Sequence, residues 1–285
     1  MRVLIAGCGY VGCALAERLL AAGHRVIALR RSDAGAPPGA EPLRADLADP
    51  ASLAGVPHGL DAVCYLASAD GRDDRAYARA YRDGVAALLT RLAEHPHRPR
   101  FLFASSTAVY GQRDGEWVDE DSATDPLDFR GRRLLEGEER VAASGLPATV
   151  VRFAGIYGPG RRRLLDRVAR GEAPIDPEGP RYTNRIHRDD CAGLLAHLLE
   201  GVDGGRASAP SRLLAVDDDP ADEETVLTWL ATQLRAPDPP RRKSGDATVP
   251  RANRRCRNAR LRATGYPLRY PTFRDGYAAM LRDSP

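Results

Sequence analysis

The sequence predicts an α/β fold, a doubly wound parallel sheet followed by a small C-terminal lobe, and three observations carry that expectation. Short strand-type runs alternate with segments of helical period through the first 155 residues. The runs are apolar throughout instead of alternating with polar residues, as strands covered by helices on both faces are. Glycine-rich or polar turns follow the runs at their carboxyl ends, where ligands sit on such sheets.

Residues 3–6 read as the first strand. Gly7, Gly9 and Gly12 follow in G-x-G-x-x-G spacing, and Val11, Ala14, Leu15, Leu19 and Ala22 recur at helical spacing until Gly23 stops the helix. Residues 26–29 form the second strand. Strand, glycine turn, helix and strand together make the Rossmann context in which this spacing holds a dinucleotide. Gly7 permits the tight turn, Gly9 lets a pyrophosphate approach the backbone, and Gly12 lets helix and strand close together. Tyr10 and Val11 lie at the helix start, whose unpaired N–H groups would hold the anion. The second strand ends in Arg30, Arg31 and Ser32. A carboxylate there would accept from the ribose hydroxyls of NAD(H). Two guanidinium groups instead suit a 2′-phosphate, so the expected cofactor is NADP(H), with NAD(H) the lesser candidate. The plainer alternative is that both arginines face solvent.

The next strand, 42–45, leads to Asp46 and Leu47; 62–66 leads to Ala67 and Ser68. A helix is expected over 76–93, a fifth strand over 101–104 ending in Ser105 and Ser106, a helix over 131–143 and a sixth strand over 148–153. Beyond residue 155 the chain becomes turn-rich and basic, with GPGRRR and PIDPEGP around one short helix. A helix over 191–199, a strand over 213–216 and a helix over 223–234 precede the proline-rich loop APDPPRRKSGDATVP. Residues 1–155 are therefore expected to form the nucleotide-binding domain, rejoined by 186–216, with 156–185 and 217–285 in a smaller substrate lobe.

Composition narrows the function class. The 42 basic residues are nearly matched by 39 acidic ones, interspersed, so the net charge of +3 gives no reason to expect nucleic acid. No apolar run approaches the roughly 18 residues of a membrane span. The start of the chain reads straight into a strand without a cationic leader, so the expected location is cytoplasmic. The cysteines, Cys8, Cys13, Cys64, Cys191 and Cys256, are odd in number and form no C-x-x-C. Reduced thiols are expected, with neither a disulfide framework nor a metal site.

The motifs AGCGYVG, RADLAD, CYLASA, FLFASSTAVYG, VVRFAGIYGPG, NRIHRDD and LLAVDDDP, in this order, resemble the extended short-chain dehydrogenase/reductase superfamily, the NAD(P)-dependent epimerase/dehydratase group. The tail NARLRATGYPLRYPTFRDG is similar to an atypical branch of it. The resemblance implies that Asp46 and Leu47 lie by the adenine, and that Leu66, Ala67 and Ser68 line the adenosine and diphosphate. Ser106 matches the catalytic serine or threonine, with Ser105 beside it. Ala154 and Ile156 would pass beneath the nicotinamide. Tyr157 and His187 would face or brace the substrate cleft; for His187 and Asp190 a hydrogen-bonded brace between lobes is the favoured reading. A homodimer through helices on the sheet's outer face is also implied.

One departure matters. The family couples a tyrosine to a lysine four residues later, because a phenol of pKa about 10 needs a nearby charge to exchange protons near neutrality. Here the only lysine is Lys243, and no tyrosine lies between Tyr110 and Tyr157. Matching DPLDFRGRRLLEGEERV to the family places Phe129 and Arg133 there, or Arg130 and Leu134 if Gly131-Arg132 and Glu138 set the register, which is preferred. Ser106 could donate to a carbonyl oxygen, Tyr110, Tyr157 or His187 could carry protons, and Arg130, Arg132 or Arg133 could hold ribose hydroxyls. Tyr110 equally reads as packing under its loop. Arg161, Arg162 and Arg163, with Arg185, Arg254 and Arg255, could gather an anionic or sugar-like small-molecule substrate, or simply be solvated. Two roles stay open: an oxidoreductase or epimerase/dehydratase, and a noncatalytic NADP(H)-binding or sensing protein.

Overall fold

In chain order, the computed structural model, which describes residues 1–32, 35–94, 96–176, 179–201, 210–242 and 252–282, gives β1 (Arg2–Ala6), α1 (Tyr10–Ala21), β2 (Arg25–Arg30), β3 (Glu41–Arg44) and β4 (Ala62–Tyr65). Next come α2 (Asp74–Tyr77), a π turn (Ala78–Asp83), α3 (Gly84–Ala93), β5 (Arg100–Ser106), β6 (Glu116–Val118), α4 (Phe129–Ala143) and β7 (Ala148–Phe153). The remainder holds β8 (Gly155–Tyr157), α5 (Arg163–Ala169), β9 (Arg185–His187), α6 (Arg188–Glu200), β10 (Arg212–Ala215), α7 (Glu223–Leu234), β11 (Arg254–Cys256), α8 (Ala259–Ala263) and α9 (Phe273–Arg282). Lys243 and the later part of the proline-rich loop lie outside the described residues.

The central sheet has seven strands in the order β10-β7-β5-β4-β1-β2-β3, paired in parallel throughout. Chain order reverses at β1, which puts the crevice for a ligand beside its carboxyl end. The unbroken apolar run of β1 has a direct cause. Val3 and Ile5 pack with Leu15 and Leu19 of α1 and Leu194, Leu195 and Leu198 of α6. Leu4 and Ala6 pack on the opposite face with Val85, Leu88 and Leu92 of α3. Each fully buried valine, leucine or isoleucine among them contributes about 1.5–3 kcal/mol of transfer free energy.

A second core joins Leu165 and Val168 of α5, Val226, Leu227 and Leu230 of α7, and Phe273, Tyr277 and Met280 of α9. Two small parallel ladders, β8 with β9 and β6 with β11, stitch the later segments to the end of the sheet. Among the described residues no helix is long and apolar enough to cross a membrane.

The helix expected over 76–93 begins earlier, because Asp73 caps it through Ala76 N–H, and it carries the π turn. There the Tyr65 hydroxyl, rising from β4, donates to Ala80 O at 2.5 Å and ties the turn to the sheet. Likewise α4 starts two residues before the expected Gly131, where Asp128 accepts from Arg130 N–H at 2.8 Å.

Between α4 and β7 lies a buried ion pair. Arg152 (1% exposed) donates to both carboxylate oxygens of Glu138 (5%), at 2.9 and 2.6 Å. Ser105 Oγ adds a third donor to Glu138 at 2.6 Å. Removing one partner leaves an uncompensated charge, so Glu138→Ala should lose about 3–5 kcal/mol of stability in denaturant unfolding. Pairing it with Arg152→Met should restore a good part of that loss; a double variant as unstable as the single one would contradict this account.

Candidate active site

Where β1 becomes α1 the backbone turns with almost no spare volume. Gly7 has φ +94°, and a Cβ there would overlap Ala67 N. A Cβ on Gly12 would fall 2.9 Å from Gly7 O. Gly7 N and Cys8 N both donate to Leu29 O, at 3.1 and 3.2 Å, which fixes the loop against β2. Gly9 is different: it is exposed, and a Cβ would meet nothing nearer than Gly7 O at 4.0 Å. Directly after it α1 begins with no side-chain cap and no acid in its first turn. The first-turn N–H groups, with the helix dipole behind them, therefore open onto the cleft as a site for an anion.

That cleft, about 390 Å³, is walled by Gly7, Gly9, Tyr10, Val11, Arg30, Arg31, Asp46, Leu47, Leu66, Ala67, Ser68 and Ile156 among the residues expected to hold a cofactor. Cys8, Ser32, Asp70 and Arg79 also line it and were not foreseen. Arg30 donates to Gly35 O, and Arg31 pairs with Asp70 at an exposed edge. Arg79, on the π turn, reaches Asp46 at 2.5 Å. Burial alone would raise the Asp46 carboxyl, but the Ala48 N–H and the Arg79 guanidinium hold it below its ordinary range. The combination of a dipole-backed cradle with three guanidinium groups fits a dinucleotide.

Arg161, expected on the substrate side, lines this same cleft. Its guanidinium stacks 4.0 Å from the Tyr10 ring centre and donates to Ile156 O at 3.1 Å. Tyr10 in turn donates through its hydroxyl to Pro159 O at 2.9 Å, so the glycine loop is clasped to the turn after β8.

Gly12, Ser105, Ser106, Tyr110, Ala154, Tyr157 and His187 stand outside the cleft wall. Ser106 ends β5 opposite Phe153, half-buried, and its Oγ accepts from Ala108 N at 3.2 Å. The Ser105 hydroxyl, expected against the cofactor, is turned away to Glu138. Tyr110 is 1% exposed; its hydroxyl donates to Asp119 O and accepts from Arg152, each at 2.7 Å. Burial pushes that phenol up to about 12. The guanidinium groups of Arg152 and Arg254 lie 5.0 and 5.9 Å from its ring centre, so the residue is packing under the loop.

Tyr157 is also buried, stacked on Tyr277 and edge-on to His187, with its hydroxyl closed in where a Cβ on Gly276 would be. Burial, reinforced by Asp217, raises its phenol too. His187 is 1% exposed and caps α6 by accepting from Asp189 N at 3.2 Å; burial pushes it down to about 4, so it stays neutral. Asp190 accepts from Arg269 N, Tyr270 N and Tyr266 Oη at 2.7, 3.0 and 3.1 Å, bracing α6 against the C-terminal segment.

On α4, Gly131 packs against Ala108 O, two residues after Ser106, and Leu134 is buried beside Ala154 and Tyr110. Arg130 is held by Asp128, and Arg133 by Asp74 and Glu136.

Residues 3–207 match the model of the NAD dependent epimerase/dehydratase family. A "3-diazoavenalumate denitrifying reductase" from Streptomyces sp is 32% identical over 97% of this chain and 99% of its own length. A Methylobacillus flagellatus protein, provisionally described as an NAD-dependent epimerase/dehydratase, is 35% identical, with TM-score 0.80 over 99% of this chain and 97% of its own. The human epimerase family protein SDR39U1, solved with NADPH, shares the fold at TM-score 0.78 and 23% identity, with both chains fully covered.

The Asp217 carboxyl, 2% exposed and behind Tyr157, is pushed up to about 8 by burial. The unfolded chain releases that proton near pH 4, whereas the folded one keeps it, so stability present below about pH 4 drains away as pH rises to about 8. Asp217→Asn should therefore gain more stability over wild type at about pH 8 than at about pH 5, measured by denaturant unfolding. Equal differences at the two pH values would overturn the assignment.

Proposed function

The chain belongs to the NAD dependent epimerase/dehydratase family, and on that premise we propose that it is an NADP(H)-dependent oxidoreductase of the atypical short-chain type. Its substrate on this reading is a small carbonyl or hydroxyl compound, and it works without the family's tyrosine–lysine pair. The observation that carries the reading is the uncapped start of α1 beneath Gly9, facing a cleft edged by Arg30, Arg31 and Arg79. The Streptomyces relative is a reductase by name and supports the same class of chemistry. Relatives solved with NADPH and with NAD both exist, so the preference rests on the arginines.

The nicotinamide, when bound, supplies hydride chemistry. The α1 N–H groups hold the diphosphate, and Asp46 with Leu47 lies by the adenine. Arg30 and Arg31 hold the 2′-phosphate, Arg31 exchanging Asp70 for it. Ser106 donates to the substrate oxygen: its Oγ accepts from Ala108 N, which leaves its own proton uncommitted. Tyr110 already donates to Asp119 O, and Tyr157 is closed in by α9. Leu134 stands where the lysine would, and Arg130 where the tyrosine would. Residues 1–155 with 186–216 form the nucleotide-binding domain, and 156–185 with 217–285 the substrate lobe. The protein acts in the cytoplasm as a homodimer.

The enclosure of both tyrosine hydroxyls favours a second reading, a noncatalytic NADP(H)-binding or sensing protein. Ser106→Ala separates the two. For an enzyme it should lower turnover by about 10²-fold with NADPH affinity kept, whereas absence of NADPH oxidation across a broad carbonyl panel, with binding intact, selects the second reading.

For the cofactor, wild type should bind NADPH more tightly than NADH in calorimetry, and Arg30→Ala with Arg31→Ala should bring the two affinities together. Equal affinities in the wild type would overturn the NADP(H) preference.

A further inference from the structure

Two sulfur atoms lie side by side beneath the cradle. Cys8 stands between the first two glycines, buried, with part of the residue lining the cleft. Cys13, half-buried in the first turn of α1, has its Sγ 4.0 Å from Cys8 Sγ. Arg30 donates to Cys13 Sγ at 3.9 Å, which gives that sulfur a cationic neighbour when it attacks an electrophile. Cys64, Cys191 and Cys256 are buried elsewhere in the cores.

We propose that Cys8 and Cys13 are an oxidant-responsive thiol pair whose disulfide, formed by a hydroperoxide, closes the cradle to dinucleotides. The closing half of this proposal rests on the nucleotide-binding reading given above; the cross-link itself does not.

With hydrogen peroxide the steps balance. Cys13 Sγ, the more accessible sulfur, attacks one peroxide oxygen: an S–O bond forms, the O–O bond breaks, and the departing oxygen leaves as water with the thiol proton. Cys8 Sγ then attacks the sulfenic sulfur: the S–S bond forms, the S–O bond breaks, and the second oxygen leaves as water with the Cys8 proton. Two thiols are oxidised to one disulfide and one peroxide is reduced to two waters. Burial pushes the Cys8 thiol up to about 12, so the first attack falls to Cys13, and Cys8 closes the bond because its sulfur already lies beside that of Cys13. A dithiol reductant reverses the reaction by thiol–disulfide exchange.

Geometry explains why the cradle would close. The sulfurs must approach from 4.0 Å to the roughly 2.05 Å of a disulfide, which draws Cys8 toward α1. Gly7 has no room to retreat towards Ala67, so the displacement falls on the Cys8–Gly9 peptide, at the helix start that would hold the diphosphate. Cys13 also turns away from Arg30. Linkage then requires that bound nucleotide resist the cross-link as much as the cross-link resists nucleotide.

The experiment treats the full chain with hydrogen peroxide, maps disulfides by mass spectrometry of an unreduced digest, and measures NADPH affinity by fluorescence before oxidation, after it, and after dithiothreitol. Expected are a Cys8–Cys13 cross-link, a loss of two titratable thiols, affinity weakened about tenfold or more, and recovery on reduction. Cys13→Ser should lack both the cross-link and the oxidative loss of affinity. If that variant does not fold, protection of the wild-type cross-link by saturating NADPH serves instead. A different pairing, over-oxidation without a cross-link, a cross-link with unchanged affinity, a loss of affinity that persists in Cys13→Ser, or no protection by NADPH overturns the proposal. Failure of the reduced protein to bind NADPH would instead strike the nucleotide-binding reading, and the digest would still test the pair.

Discussion

The molecule is organised around a steric constraint: the end of β1, the start of α1 and the end of β4 meet with no room for one more carbon atom. Gly7 lies against Ala67, and Gly12 against Gly7 O. That closeness sets the direction of α1 relative to the sheet and brings its bare amide end to the mouth of the cleft. The cofactor side is built on it: chain order runs in opposite directions on the two sides of β1, and Arg30, Asp46 and Ala67 line the crevice left there.

A second support lies under the other end of the site. Ser106 stands at the tip of β5, and its neighbour Ser105 is fastened to Glu138, which is in turn locked to Arg152 of β7. Arg152 also holds the Tyr110 hydroxyl, and Arg254 donates from the far end of the chain to Tyr110 O at 3.0 Å. The loop after Ser106 is thus held by charge-assisted hydrogen bonds within the core, so the serine sits on a rigid shelf. The same network withdraws Tyr110 from chemistry.

Most strands of the central sheet are legible because burial on both faces leaves a local mark, a run dominated by apolar residues, as in β1 and β2; β7 carries Arg152 within such a run, and the largely exposed β3 carries the weakest mark. The glycine loop was legible because the constraint acts between residues close in sequence. The short strands β6, β8, β9 and β11 were not, since three-residue ladders gain their bonds from partners far along the chain. Arg79 is not legible in sequence because its place opposite Asp46 depends on the π turn, whose Ala80 O accepts from the Tyr65 hydroxyl of another strand. In sequence Tyr110 reads equally as a proton carrier or as packing under its loop, and Tyr157 as facing or bracing the cleft; what distinguishes these, enclosure beside Arg152, Arg254 and Gly276, is a property of tertiary packing alone.

The clasp of Tyr10 onto Pro159, with Arg161 laid over the ring, joins the two walls of the crevice through a single aromatic side chain. Tyr10 belongs to the first turn of α1, and Pro159 to the stretch leading into α5. A displacement of either wall is therefore handed to the other without crossing the sheet. A single substitution at the ring would loosen both stretches together, although 149 positions of sequence separate them.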